Sequence, residues 1–203
     1  SDYEALKYFT EFWPSDNTDP IERLFIQWGF SQVFPAKTMC AHVTTWNKNS
    51  SVKFRTDVAM MCKLGFDIKL ADMSKDDETY CRTAVQNYNR LKPVVLEGDM
   101  YRLVSPYGSN HTSTMYVGKD KDKAAVFAFD IHPRYAEKIL PVRLQGLDAD
   151  KMYRVKEINL MPGANSSLSG NGEVFSGEFL MNVGLNLFTA QQLNSRVIEV
   201  VAE

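Results

Sequence analysis

The chain has 203 residues, a formal net charge of −2 and 44% hydrophobic residues, which is enough to bury a sizeable core. Its basic residues are not gathered in one segment, which argues against nucleic acid as a partner. No apolar run approaches the length of a membrane span and no signal peptide is recognisable, so no membrane partner is expected. The cysteines lack metal-ligand spacing, and we expect buried free thiols and no metal or other cofactor; they are Cys40, Cys62 and Cys81.

The first part of the chain begins with a predicted strand, helix and strand. The aromatic run at residues 8–13 is typical of a short buried strand. Asp19 is a natural N-cap with Pro20 at the first helical position, and we expect this helix to end at Gly29. The apolar residues 32–34 predict the next strand. A strand–helix–strand order with short joints indicates a parallel sheet.

Two further helices are predicted after an irregular segment. Residues 39–51 are too long and too polar for a simple connection, so we expect this segment to be functional or mobile. Helices are predicted at residues 54–63 and 74–91. Ser74 caps the second of these helices, and Pro93 is expected to stop it.

From about residue 94 the apolar pattern changes to a period of two, which is typical of strands. The predicted strands are residues 101–104, 114–117, 125–131, 142–144, 153–160, 178–181 and 197–201. Short antiparallel strands separated by turns predict a β-sandwich. We therefore expect a boundary near residue 93.

The loop at residues 13–19 carries the candidate chemistry. Asp16 lies at the carboxyl end of the first predicted strand, where α/β enzymes place catalytic groups, whereas Asp19 is used as a cap. The alternative is that this loop is only a well-capped helix start. Retaining glycosidases need two carboxyl groups, and Asp16 with a partner elsewhere is the more plausible arrangement. His42 is either at the edge of an active site or structural, and Trp46 either stacks on a sugar or packs its own loop.

The sequence also resembles a known family. The stretch W-P-S-D-N-T-D-P-I-E-R at residues 13–23, followed by I-Q-W-G-F-S, F-P and M-C-A-H-V, is similar to the late-barrel signature of glycoside hydrolase family 36. Those proteins are the bacterial α-galactosidases and their relatives. F-R-T-D-V-A-M, L-G-F-D, Y-R-L-V-S-P-Y and G-L-D-A-D-K-M-Y-R-V resemble the family in the same order, so the resemblance covers nearly the whole chain.

The resemblance implies an α/β plus all-β fold. Residues 1–92 would be the C-terminal part of a (β/α)₈ barrel, and residues 93–203 an antiparallel β-sandwich domain. It also implies that Asp16 is the general acid/base of a retaining α-galactosidase that cleaves terminal α-galactosides of oligosaccharides. The candidate substrate-binding residues beside it are Trp13, Ser15 and Asn17.

The chain also departs from the family pattern. The family's nucleophilic Asp lies in a K-x-D motif on a strand, which none of the strands predicted here carries, and the Cys/Gly-rich sugar-binding turn is absent too. We therefore expect a C-terminal fragment that is inactive alone and that forms a homo-oligomer or swaps elements to cover its open sheet edges. The sequence does not distinguish the bacterial cytoplasm from the periplasm.

Three alternatives remain open at the level of sequence. The parent protein is an α-N-acetylgalactosaminidase in one and a raffinose-type galactosyltransferase in another, because the residues that discriminate these activities lie upstream. In the third, the chain is a non-catalytic carbohydrate-binding or structural β-sandwich module.

Overall fold

The structure is a computed structural model that describes residues 3–47 and 49–203. Its first part alternates helices and strands: α1 (Pro20–Phe30), β1 (Cys40–Thr44), α2 (Val52–Ala59), β2 (Lys63–Asp67) and α3 (Lys75–Glu97). Its second part is dominated by strands: β3 (Asp99–Val104), β4 (His111–Val117), β5 (Lys123–Asp130), β6 (Met152–Ile158), β7 (Val174–Ser176), α4 (Gly177–Asn182) and β8 (Asn194–Ala202). Short 3₁₀ turns occupy Tyr3–Lys7, Ala36–Thr38 and Leu70–Asp72.

Three parallel segments, each followed by a helix, build the first part. A parallel bridge joins Phe12 to Met39, and the backbone N–H of Cys40 donates to the carbonyl of Phe12 at 3.0 Å. Strand β1 then pairs in parallel with β2 along its whole length. The order Phe12, α1, β1 therefore keeps the parallel strand–helix–strand arrangement that the sequence predicts, whereas β2 is not among the predicted strands.

Two predicted strands in this part are wrong. Residues 8–13 are not a buried strand, because Tyr8 is 82% exposed and only Phe12 makes a sheet contact. Residues 32–34 form a turn, since the N–H of Phe34 donates to the carbonyl of Phe30 at 2.8 Å and continues the helical path. The strand that follows α1 is β1, which lies inside the segment predicted to be irregular.

Helices α1 and α3 begin where predicted but extend beyond their predicted ends, and the helix predicted at residues 54–63 is α2 at Val52–Ala59, because Ser51 caps it. The Asp19 carboxylate accepts hydrogen bonds from the backbone N–H groups of the second and third residues of α1, both at 3.0 Å, and Ser74 caps α3. Helix α1 continues through Gly29 to Phe30, and α3 continues through Pro93 to Glu97. A proline removes one helical hydrogen bond; here the residues around it are buried in the core, and this packing holds the helix together.

Within the described residues, the strands of the second part form one six-stranded antiparallel sheet in the order β3-β4-β5-β8-β6-β7. The predicted two-sheet sandwich is therefore corrected to a single sheet. Residues 142–144 make only one bridge, Val142 to Leu185, instead of a strand. Residues 178–181 have strand composition but lie in α4, because the Ser176 hydroxyl caps the N–H of Phe179 at 3.1 Å and starts a helix.

Both faces of this sheet are buried, which explains why the central strand β5 is apolar at every position from 124 to 129. On one face, Phe127 and Phe129 of β5 pack with Phe54 of α2 and with Leu24 and Leu91 of the flanking helices. The opposite face packs against the segments that surround the Val142–Leu185 bridge and α4. The first cluster contains residues from both parts of the chain, so the helices and the sheet share one core.

A buried carboxylate also joins the two parts. Asp57 on α2 has 0% exposure and accepts hydrogen bonds from Lys53 Nζ at 2.5 Å and from the Tyr80 hydroxyl at 2.9 Å. It also accepts from the Ser195 hydroxyl of β8 at 2.7 Å and from the side-chain amide of Asn159. One charge thus connects α2, α3, β8 and the turn after β6.

Candidate functional site

Three loops leave the carboxyl ends of the parallel segments: residues 13–19, 45–51 and 68–74. They are joined to one another, since the Asn47 amide donates to the Thr18 hydroxyl at 2.5 Å and the backbone N–H of Lys69 donates to the Thr45 hydroxyl at 2.8 Å. Parallel α/β sheets place their ligands at this edge. The candidate residues of the sequence therefore lie where a site is expected.

Asp16 stands at a bend in the first loop with its side chain exposed. Its neighbours are engaged in holding the turn: the N–H of Asn17 donates to the Ser15 hydroxyl at 3.1 Å, and the N–H of Asp19 donates to the Asn17 side-chain oxygen at 2.9 Å. In the described parts of the chain no hydrogen bond to the Asp16 carboxylate is found. Of the two acidic residues in this loop, Asp19 is bound to the helix and Asp16 is open to a ligand.

Arg23 ties the loop to the sheet. It is only 3% exposed, and its guanidinium donates to the carbonyl of Ser15 and to the carbonyl of Cys40 on β1, both at 3.0 Å. Burial lowers the pKa of Arg23, but an arginine pKa starts so far above neutrality that the charge remains. Sequence reasoning did not single out this residue; the available signal was its place as the last residue of the stretch at 13–23.

The Trp13 ring packs on the imidazole of His42, the central residue of β1. The ring centroids are 4.0 Å apart with the planes inclined by 42°, and Trp13 remains 46% exposed. Burial lowers the pKa of His42, and the positive charge of Arg23 lowers it further, whereas Asp67 and Asp16 oppose the shift. The imidazole is therefore neutral at pH 7.

An open groove of about 550 Å³ runs along β1 and β2 beside this ring pair. Its polar lining includes an ion pair between Glu11 and Lys63, and Trp13 and His42 form part of its wall. Within the part of the chain that the structure describes, β2 pairs only with β1, so the groove follows an open sheet edge. An aromatic face among charged side chains suits a polyhydroxylated ligand such as a sugar.

The remaining aromatic candidate from the sequence is Trp46. Trp46 is 54% exposed, so its ring is available to a ligand and is not held in a core.

Among the residues at 3–47 and 49–203, no cluster of three or more His, Cys, Asp and Glu side chains could hold a metal ion. No helix in the same ranges is both long and apolar enough to cross a membrane. The three cysteines are free, with Cys62 and Cys81 buried and Cys40 half-buried.

Family models match both parts of the chain. The family model described as Melibiase matches residues 1–98, and the one described as Glycosyl hydrolase family 36 C-terminal domain matches residues 111–200. The chain belongs to glycoside hydrolase family 36. Its resemblance to that family is thus confirmed over both parts of the chain.

Family 36 relatives include fungal and bacterial proteins. Alpha-galactosidase 2 of Hypocrea jecorina is 34% identical over 200 residues, covering 96% of this chain and 25% of its own length. Alpha-galactosidase AgaA of Geobacillus stearothermophilus is 30% identical over 170 residues, covering 81% of this chain and 23% of its own length. This family 36 chain therefore spans about a quarter of the length of these relatives.

Solved family 36 structures have the same fold. A variant of AgaA in complex with raffinose superposes with a TM-score of 0.85 at 27% identity, covering 98% of this chain and 26% of that one. Another AgaA variant, in complex with stachyose, superposes with the same TM-score of 0.85 at 28% identity. Both raffinose and stachyose are bound by those proteins.

Proposed function

We propose that this chain is the C-terminal portion of a retaining α-galactosidase that hydrolyses terminal α-galactosides of oligosaccharides. The observation that carries the proposal is the exposed Asp16 carboxylate on a firmly held loop, at the carboxyl edge of parallel segments, in a family 36 chain. Relatives named as α-galactosidases, and their complexes with raffinose and stachyose, support α-galactoside oligosaccharides as the substrate class.

Asp16 acts as the general acid/base in this proposal. It protonates the glycosidic oxygen as the bond to the galactosyl carbon breaks, and the same carboxylate then takes a proton from the water that releases galactose from the enzyme. Ser15 and Asn17 hold the turn that presents Asp16, and Trp13 offers its exposed ring to the substrate. The nucleophilic carboxylate of the retaining pair comes from a part of the longer polypeptide outside this chain.

The first part of the chain, residues 1–92, is proposed to be the end of a (β/α)₈ barrel, and residues 93–203 the C-terminal antiparallel domain. Parallel pairing in the order Phe12, β1, β2, with a helix after each, supports the barrel. The open edge of β2 is where a further parallel strand would pair in a closed barrel. The groove beside that edge would then become part of an enclosed site.

Activity measured with an aryl α-galactoside tests this proposal. The longer polypeptide should turn over the substrate, and Asp16→Asn should lower its kcat about 10²- to 10⁴-fold, which is the usual contribution of general acid–base catalysis. Asp19→Asn is the matched control, because asparagine is an equally good N-cap and should leave activity nearly unchanged. Full activity of Asp16→Asn would contradict the assigned role.

The 203-residue chain alone should show no turnover, because one carboxylate of a retaining pair cannot form the covalent intermediate. Turnover by this chain that disappears on Asp16→Asn would refute its inactivity and would place the nucleophile within it.

A further inference from the structure

Strand β1 contacts the loop of Asp16 at two points. Its Cys40 carbonyl accepts a hydrogen bond from Arg23, whose other nitrogen holds the Ser15 carbonyl. Two residues further along β1, the His42 ring lies against Trp13. The residues held in this way, Trp13 and Ser15, are on the N-terminal side of Asp16. On its C-terminal side the chain is fixed by the capped start of α1.

We propose that His42 is a positioning residue for the general acid Asp16. By supporting the Trp13 ring, His42 holds the loop that carries Asp16 in its catalytic position. This inference rests on the proposed function, because it concerns the same loop. His42 itself need not touch the substrate or exchange a proton with it. Its effect would pass through Pro14 and Ser15, the two residues that link Trp13 to Asp16.

The contact depends on the flat ring of His42 and not on a hydrogen bond. The centroid separation of 4.0 Å is direct ring contact. The Nδ1 atom of His42 is buried and has no hydrogen-bond partner in the described chain. A phenylalanine at this position would keep a flat ring face while it removes both ring nitrogens, of which Nδ1 is unpaired, whereas an alanine would remove the support altogether.

Loss of the support should disturb catalysis more than folding. Trp13 is half-exposed, so the main core does not depend on it. Arg23 and the Asp19 cap would still hold the rest of the loop. A displacement of about 1 Å at a catalytic group is enough to reduce a rate about 10²-fold. The expected defect is therefore a misplaced acid in a folded protein.

The dependence on leaving group separates a positioning role from a structural one. A nitrophenyl leaving group departs with little protonation, whereas an alkyl leaving group needs the acid. In the longer polypeptide, His42→Ala should lower kcat/KM for methyl α-galactoside about tenfold or more and for nitrophenyl α-galactoside less than about threefold. His42→Phe should restore both values to within about threefold of the parent.

Phe179→Ala is the matched control. Phe179 stacks on Phe175 with ring centroids 5.3 Å apart and is 37% exposed, so this variant removes a comparable aromatic contact away from the loop. It should leave the ratio of the two kcat/KM values unchanged. An equal loss for both substrates in His42→Ala, or no loss, would overturn the positioning role.

Asp16→Asn, measured with the same two substrates, separates this inference from the proposed function. If Asp16→Asn shows no preference for the nitrophenyl substrate, the acid assignment itself fails. If it does show that preference and His42→Ala does not, only the positioning role fails.

A second readout needs no activity. The backbone N–H resonance of Asp16, recorded by NMR in the 203-residue chain, should shift in His42→Ala and stay near its parent position in His42→Phe. An unchanged Asp16 resonance in His42→Ala would also overturn the proposal.

Discussion

Replacement of the buried carboxylate Asp57 by alanine should strongly destabilise the fold. The variant would leave four donors without their common acceptor: Lys53 Nζ, the Tyr80 hydroxyl, the Asn159 amide and the Ser195 hydroxyl. These groups belong to α2, α3, the turn after β6 and β8. The substitution therefore acts where the helices meet the antiparallel sheet.

The expected loss follows from the burial of these donors. An unsatisfied buried donor costs about 1–3 kcal/mol. Adding the costs of all four donors would overestimate the loss of stability, because the Lys53 side chain is 14% exposed and can turn towards water. We therefore expect the free energy of unfolding to fall by about 3–5 kcal/mol, the usual effect of removing one partner from a buried charged pair.

Urea unfolding followed by circular dichroism measures this loss. With an m value of about 2 kcal/mol per M, the midpoint should fall by roughly 1.5–2.5 M. Asp76→Ala is the matched control, since Asp76 lies exposed in the first turn of α3 and its removal should cost at most about 1 kcal/mol. A loss below about 1 kcal/mol for Asp57→Ala would refute the view that this network joins the two parts.

Three further predictions concern protonation, thiol reactivity and association. The low pKa of His42 means that its contribution to stability is complete above the unfolded pKa of about 6.5 and is lost as the pH falls below it. His42→Phe should therefore flatten the acid side of the stability–pH curve, and an unaltered slope would contradict this. Burial raises the pKa of Cys62 to about 12 and the pKa of Cys81 to about 11. In the native chain at pH 8, both thiols should therefore react with a thiol reagent far more slowly than they do after unfolding in urea. Equal reaction rates in the native and unfolded chains would show that these thiols are accessible in the fold. The open edge of β2 should cause the 203-residue chain to self-associate, and sedimentation as a monomer at all concentrations would exclude this.

The features that were predictable from sequence are those encoded by neighbouring residues. Helix starts could be predicted from Asp19 with Pro20 and from Ser74 with Asp77, because capping is a contact between residues three or fewer positions apart. Period-two apolar patterns likewise located most strands of the second part. That Asp19 caps α1 while the Asp16 side chain stays exposed follows from the same local logic.

The features that sequence missed depend on distant contacts. Strand β1 is only five residues long and is followed by a polar loop, so nothing local distinguishes it from irregular chain. Helix α3 continues beyond Pro93 because apolar residues on both sides of this proline are buried against the sheet. In the site, the contacts of His42 with Trp13 and of Arg23 with Cys40 join residues far apart in sequence. Only the folded chain brings these pairs together.

Azide rescue provides a direct test of the acid/base role proposed for Asp16. The measurement is the anomeric configuration of the galactosyl azide formed by Asp16→Ala in the longer polypeptide, with an aryl α-galactoside as substrate. Without its base this variant should accumulate the β-linked galactosyl-enzyme, which azide attacks without needing deprotonation. We expect restored turnover and α-galactosyl azide; β-galactosyl azide would identify Asp16 as the nucleophile, and unchanged hydrolysis without azide would contradict any catalytic role.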